Sequence, residues 1–237
     1  MPNDADPATD VTREPIALSW SGGKDSAMAL GELLRDPLVR VVALVTTVTR
    51  GYDRVSIHGV RRSLLHAQAR AIGIPLVEAE LEPRCSNADY DAAMEKAFGE
   101  IRARHPDLRR VAYGDLFLED VRRYREERLA ALGLEGIFPL WSRPTDALAR
   151  TCIASGIETR LVCLDTTQLD ARFAGRAYDA ALLDELPPTV DPCGERGEFH
   201  TFVSNAPMFG TPVRYVIGES VLRDDRFLFT DLIPRNG

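Results

Sequence analysis

Ser19-Trp20-Ser21-Gly22-Gly23-Lys24-Asp25-Ser26 separates the short apolar run Ile16-Ala17-Leu18 from the helix-like stretch Ala27-Met28-Ala29-Leu30-Gly31-Glu32-Leu33-Leu34. A glycine turn that ends a strand and opens a helix leaves several backbone N–H groups converging on one spot. The helix dipole makes that spot attractive to an anion, and phosphate is the natural guest. The lysine in the turn stands out, because 29 residues are Lys or Arg yet only Lys24 and Lys96 are lysine. A compact ammonium on a flexible stem reaches into a narrow phosphate turn better than a planar guanidinium does.

The turn lacks the G-x-x-x-x-G-K-[ST] spacing of a Walker loop and the G-x-G-x-x-G spacing of a dinucleotide fingerprint, so both classes drop out. In its strand-to-helix setting, Ser21-Gly22-Gly23-Lys24-Asp25-Ser26 resembles the PP-loop of the N-type ATP pyrophosphatases. Members of that superfamily hold ATP by its phosphates and cleave between the α and β phosphates. The resemblance implies adenylation, with AMP and pyrophosphate as products.

Outward from the loop, β-branched runs alternate with amphipathic stretches. Val39 to Val48 is a continuous apolar and Thr-rich run, typical of a strand buried on both faces. The spacing of Val60, Leu64, Leu65, Ala69 and Ile72 predicts a helix over His58 to Ile72, ended by Gly73, before a strand from Leu76 to Leu81. A helix from about Tyr90 to Arg104, capped by Asn87 or Asp89, stops before Pro106. Arg110 to Tyr113 reads as a strand ended by Gly114-Asp115, Glu119 to Leu132 as a helix, and Ile137 to Trp141 as a fifth strand. This alternation predicts an α/β fold with an open parallel sheet covered by helices on both faces, a doubly wound arrangement. Such sheets bind ligands beyond the carboxyl ends of their strands, so the loop, Thr46-Thr47 and Gly114-Asp115 are expected to share one crevice.

From about Ser142 the pattern changes to a helix (Thr145 to Ala154), a strand (Thr159 to Leu164), an irregular acidic stretch and three short extended runs at Phe199 to Val203, Val213 to Ile217 and Phe227 to Phe229. The expected organisation is a disordered polar tail at 1–14, a nucleotide domain at 15–141 and a smaller mixed α+β domain at 142–237.

The chain has 237 residues, a formal net charge of -7, 45% hydrophobic and 27% charged residues, as an ordinary soluble globular protein does. No signal or transit pattern and no apolar stretch of membrane-spanning length is present. The cysteines Cys85, Cys152, Cys163 and Cys193 form no C-x-x-C pair, which argues against structural zinc and thioredoxin-like chemistry and sets a reducing cytoplasm as the default. The acidic balance argues against binding bulk nucleic acid. Arg122, Arg123, Arg125 and Arg128 form a local cluster suited either to RNA or to a solvated helix face paired with Glu119, Glu126 and Glu127. The i, i+3 and i, i+4 spacing favours the second.

A second constellation, Asp191-Pro192-Cys193-Gly194-Glu195-Arg196-Gly197-Glu198-Phe199-His200-Thr201-Phe202-Val203, gathers acids, a histidine and a threonine. On an extended strand Glu198 and His200 would project from one face, where a carboxylate and an imidazole can orient a substrate or move a proton.

With the loop, the stretch Ile57 to Leu76, the Gly114-Asp115 strand end, Gly133 to Trp141 and this second segment, the chain resembles the diphthine-ammonia ligase family of PP-loop ATPases, over roughly residues 15 to 210. The resemblance implies a HUP-like nucleotide domain that activates a carboxylate as an acyl-adenylate, and a second domain that helps bind the acceptor so that ammonia forms the amide. ATP would lie along the crevice against Ser19, Thr46 and Gly114, with pyrophosphate cradled by Ser21, Gly22, Gly23, Lys24 and Ser26. Mg2+ would offset phosphate charge, with Asp25 and Asp115 as its candidate ligands, unless Asp25 instead holds the loop's shape. His58 is expected near the nucleotide or the acceptor, or as a helix N-terminal residue with no ligand. Lys24, Asp25, Glu195, Glu198 and His200 are the candidate catalytic residues.

The absence of paired cysteines argues against a sulfur-transfer member. The family's named acceptor is a modified histidine of a translation elongation factor; an Arg-rich, Lys-poor chain fits a GC-rich bacterial source, where that acceptor is not expected. The carboxylate acceptor, small molecule or protein, is therefore left open, as is self-association. The competing functions are an ATP-binding regulatory module without turnover and a PP-loop RNA-modifying enzyme.

Overall fold

The computed structural model describes residues 13–51, 54–55, 59–83 and 85–235; most of the expected tail and His58 lie outside the described residues. The first half carries β1 (Glu14–Ser19), α1 (Lys24–Arg35), β2 (Val39–Thr49), β3 (Arg54–Val55), α2 (Arg62–Ile72), β4 (Leu76–Leu81), α3 (Asn87–Arg104), β5 (Arg110–Ala112), α4 (Glu119–Ala131) and β6 (Glu135–Ile137). Five parallel strands lie in the order β4-β2-β1-β5-β6, and the two-residue β3 pairs antiparallel with Val48 and Thr49. The continuous apolar character of β1 and β2 follows from this placement: helices cover both faces, so neither face can carry a row of polar side chains. Leu30, Leu64 and Leu65 of α1 and α2 pack on one side, while Phe98 and Ile101 of α3 and Leu129 of α4 pack on the other.

The order of the strands positions the site. From β1 the chain builds outward through β2 and β4, then returns to place β5 and β6 on the opposite side of β1. The connections after β1 and β5 diverge to opposite faces and leave a crevice beyond their carboxyl ends.

The remaining chain forms α5 (Thr145–Ala154), β7 (Glu158–Asp165), a 3-10 turn at Ala171–Phe173, α6 (Ala180–Glu185), β8 (Phe199–Asn205), β9 (Tyr215–Arg223) and β10 (Phe227–Pro234). Its four strands make an antiparallel sheet in the order β8-β7-β10-β9. One apolar cluster runs without a break from Ile16 and Leu18 to Leu161, Phe202 and Val203. Gln68, fully buried, ties the halves together: it accepts from Trp20 Nε1 at 3.0 Å and donates to the carbonyls of Gly22 (3.0 Å) and Val203 (2.6 Å).

Several boundaries differ from the sequence expectation. α2 starts at Arg62, not His58: Gly59 has φ +67° and a Cβ there would lie 2.5 Å from the Phe229 ring, while Arg61 is extended and bridges Arg54. α3 is capped by Ser86, whose side chain accepts from the Asp89 N–H while the Asp89 carboxylate accepts from the Ser86 N–H; this reciprocal box replaces the caps expected of Asn87 or Asp89 alone. The fifth strand is Glu135–Ile137, because pairing with Arg110–Ala112 sets its register and Phe138 to Trp141 turn away. α6, absent from the sequence expectation, has six residues and too few turns to show a period; the Asp179 side chain caps it by accepting from Leu182 N–H at 2.9 Å.

Candidate functional site

A pocket of about 250 Å³ lies beyond β1 and β5, between the loop and the segment leading into β8. Of the residues expected at the site, Ser19, Ser21, Gly23, Lys24, Asp25, Ser26, Gly114, Asp115, Glu195 and His200 line it. Gly22 lies within the loop wall with φ +78°, the left-handed conformation that favours glycine. Thr46 is buried inside β2 opposite Glu78 and does not reach the pocket; Glu198 lies behind its wall.

The loop is shaped by both halves of the chain. Gly23 N–H donates to Ser21 Oγ (3.2 Å), Ser26 Oγ donates to the Gly23 carbonyl (2.9 Å), and Lys24 N–H donates to Thr201 Oγ1 (3.1 Å). Val203 N–H donates to the Gly22 carbonyl at 2.9 Å. A Cβ at Gly114 would stand 2.8 to 2.9 Å from the Asp25 and Ser26 backbone, so the end of β5 touches the first turn of α1 through a residue with no side chain.

Lys24 is 2% exposed. Its ammonium donates to both carboxylate oxygens of Asp25 (2.9 and 2.8 Å) and to the Cys193 carbonyl, and it lies 5.6 and 5.7 Å from the ring centres of Tyr178 and Phe199. Burial is the largest single influence and works against its charge, but the pull of Asp25, joined by that of Cys193 and Cys152, holds the Lys24 pKa above the usual lysine value. Burial likewise pushes Asp25 above the usual carboxylate range, with Lys24 pulling it back.

Asp115 pairs with Arg125 through Oδ2–Nε (2.6 Å) and Oδ1–Nη2 (3.1 Å), and the guanidinium stacks 4.3 Å from the Tyr113 ring centre. Arg122 and Arg128 are also paired, with Glu126 (2.8 Å) and Asp91 (2.6 Å). Among the described residues no group of three His, Cys, Asp or Glu is arranged to hold a metal. Asp25 and Asp115, the expected metal ligands, are each paired with a cation instead.

The second segment is held by its own acids. Glu198, 1% exposed, accepts the N–H groups of Asp191 (2.8 Å) and Arg196 (2.9 Å), so its carboxylate braces the turn from within. Asp191 accepts the Cys193 N–H (2.7 Å) and the Thr145 hydroxyl (2.9 Å). Glu195 reaches the other way: its Oε1 accepts the Leu116 N–H at 2.8 Å at the pocket wall, and burial, reinforced by Asp25 and Asp115, raises its pKa to about 7 against the pull of that N–H. Burial and then Lys24 lower His200 to about 4, keeping the imidazole neutral. Burial pushes the Cys193 and Cys152 thiols up to about 12, so neither presents a thiolate.

Seven pocket residues were not singled out as site residues from sequence: Tyr113, Arg125, Cys193, Gly194, Gly197, Phe199 and Thr201. Thr201 stood inside the quoted second segment. Arg125 was one of four similar arginines, and only the fold brings Asp115 to it. No helix among the described residues is long and apolar enough to cross a membrane.

Residues 14–135 match the family model of the diphthamide synthase N-terminal domain, and residues 144–226 match that of the diphthamide synthase C-terminal domain. A diphthine-ammonia ligase of Schizosaccharomyces pombe is 26% identical over 144 residues, covering 58% of this chain and 23% of the yeast protein. A diphthine-ammonia ligase of Rattus norvegicus is 26% identical over 235 residues, covering 87% of this chain and 85% of the rat protein. The chain thus spans under a quarter of the first relative and most of the second.

Proposed function

Because the chain belongs to the diphthamide synthase family, we propose that it is an ATP-dependent, AMP-forming ligase that activates a carboxylate and amidates it with ammonia. The relatives' name, diphthine-ammonia ligase, supports ATP and ammonia as its substrates. The observation that carries the reading is the meeting of the glycine loop with the Cys193–Thr201 segment around one pocket, joined by Lys24.

In this mechanism the phosphates of ATP rest on the first turn of α1, where first-turn amides and the Ser21 hydroxyl supply donors and the helix end supplies positive potential. The Lys24 ammonium, charged and buried, offsets phosphate charge in a site of low dielectric, and Asp25 fixes its direction. Arg125, oriented by Asp115 and Tyr113, adds a second cation at the opposite wall. Displacement of pyrophosphate at the α-phosphorus requires in-line positioning more than a strong base. Amide formation does require a proton acceptor, and Glu195, with a pKa near the working range, takes the proton that the attacking nitrogen loses. With Asp25 and Asp115 already paired with cations, Mg2+ would be held by the ATP phosphates, whose charge it would neutralise. Glu198 keeps the second segment folded and does not touch the reacting atoms. The four free cysteines fit a reducing cytoplasm.

The test is incubation with ATP, Mg2+, ammonia and pools of carboxylates. AMP and pyrophosphate together with an acceptor converted from carboxylate to amide support the reading; ADP and orthophosphate as the nucleotide products overturn it.

A further inference from the structure

A second cavity, about 280 Å³, opens between α3 and α4 next to the nucleotide pocket, and Tyr113 and Arg125 line both. Its body is apolar and aromatic, with Tyr90, Met94, Phe98, Tyr124 and Leu129 around it. The ion pair of Arg128 with Asp91 (2.6 Å) crosses from α4 to α3 at this cavity.

We propose that this cavity holds the apolar or aromatic body of a small carboxylate acceptor, whose carboxylate passes Arg125 to reach the α-phosphate. The inference rests on the ligase reading of the neighbouring pocket. Three observations carry it. Volume comes first: the cavity sits near the lower end of small-ligand sites, roughly 300 Å³, which suits a single ring or a short branched chain. Its hydrogen-bonding inventory comes second. The walls are mainly two helices whose interior backbone groups bond within the helix, so recognition there falls largely to side chains, the carboxylates of Asp91 and Glu95 among them. Side chains such as Met94 and Phe98 offer dispersion contact, and Tyr113 and Tyr124 offer ring faces. The third is the shared wall. A carboxylate leaving an apolar cavity toward the nucleotide meets the Arg125 guanidinium, which Asp115 holds in place at 2.6 Å.

The probe is 3-phenylpropionate. Its binding to the whole protein is followed by ligand-observed NMR, ATP binding by the fluorescence of a mant-labelled ATP, and activation by ATP–pyrophosphate exchange. Met94→Trp fills the cavity from the half-buried face of α3, and Tyr124→Ala removes one wall from a partly exposed position, so that one variant stands if the other fails to fold. Expected is saturable binding of 3-phenylpropionate, weakened at least about tenfold in either variant, with ATP affinity held within about twofold. Probe binding that neither variant alters overturns the assignment, as does a loss of ATP affinity in both variants, which would make the cavity a base site. Exchange reads the ligase activity separately: cavity-dependent probe binding without exchange for any carboxylate supports the site and counts against the ligase, whereas exchange indifferent to both variants supports the ligase and overturns the site.

Discussion

The backbone N–H of Lys24 donates to the hydroxyl of Thr201 at 3.1 Å, joining the start of α1 to β8 across 177 residues of sequence. One of the free donors at a helix N-terminus is thus satisfied by the C-terminal half, and the phosphate loop takes its shape only when that half is folded. Thr201→Val should remove the acceptor and leave a buried N–H unpaired, costing about 1–3 kcal/mol. Urea unfolding would measure the loss, and Thr201→Ser should recover most of it by keeping the hydroxyl.

Lys24→Met should remove the cation that faces both Asp25 and the Cys193 carbonyl. Breaking a fully buried pair costs about 3–5 kcal/mol, and less is expected here because the Asp25 side chain is 28% exposed. AMP formation should fall at least about a hundredfold, the scale of losing one preorganised electrostatic group. Lys24→Arg should not restore it, since the guanidinium is too large for the space. Steady-state AMP production by the three proteins is the measurement.

Gly114→Ala should disrupt the approach of β5 to α1, because the added methyl would lie 2.8 Å from the Asp25 carbonyl carbon and 2.9 Å from Ser26 N. Overpacking against backbone costs about 1–3 kcal/mol, and ATP affinity should fall with it. Gly99→Ala is the control: nothing lies within 4 Å of its Cβ inside α3, and helix propensity predicts a gain of about 1 kcal/mol. Calorimetric melting and ATP titration of both proteins test the contrast.

The Glu195 carboxyl, raised to about 7 by burial, should impose a pH limb on amide formation. As proton acceptor it must be ionised, so the rate at constant free ammonia should rise as pH increases through about 7 and level off above. Glu195→Gln should abolish that limb and lower the rate at every pH, with ATP affinity little changed. Its stability linkage runs opposite: the folded state retains the proton between the ordinary glutamate pKa and about 7, so stability contributed by Glu195 is lost as pH rises through that window.

Glu198→Gln should act on stability before chemistry. Both oxygens of Glu198 accept backbone N–H groups, from Asp191 and Arg196, and an amide can accept only one without a clash of donors. A destabilisation of about 1–3 kcal/mol is expected, with AMP formation recovering at low temperature where the variant is folded. A well-folded variant that stays inactive would instead make Glu198 a participant in the chemistry.

Much of the fold was legible because burial leaves a period in the sequence. β1 and β2 were read closely from apolar runs and β4 from the Gly73 and Pro75 break before it, and α5 was bounded at both ends as observed, Thr145–Ala154. Where a contact from far along the chain set the boundary, local pattern misled: Phe229 packs against Gly59 and delays α2, and pairing with β5 draws β6 toward Glu135. The capping box at Ser86 was local and could have been read from the Ser-x-x-Asp spacing.

The sequence by itself determined that a glycine turn with a lone loop lysine would sit where a parallel sheet opens, because strand, turn and helix are neighbours along the chain. Only the tertiary structure decided what each polar group faces. Lys24 meets the Cys193 carbonyl, Asp115 meets Arg125, Glu198 turns inward while Glu195 turns to the pocket, and Thr46 stays within its strand. The physical reason is that apolar periodicity reports the side of an element that loses water, whereas a charge or hydrogen bond depends on the one partner that folding brings within about 3 Å.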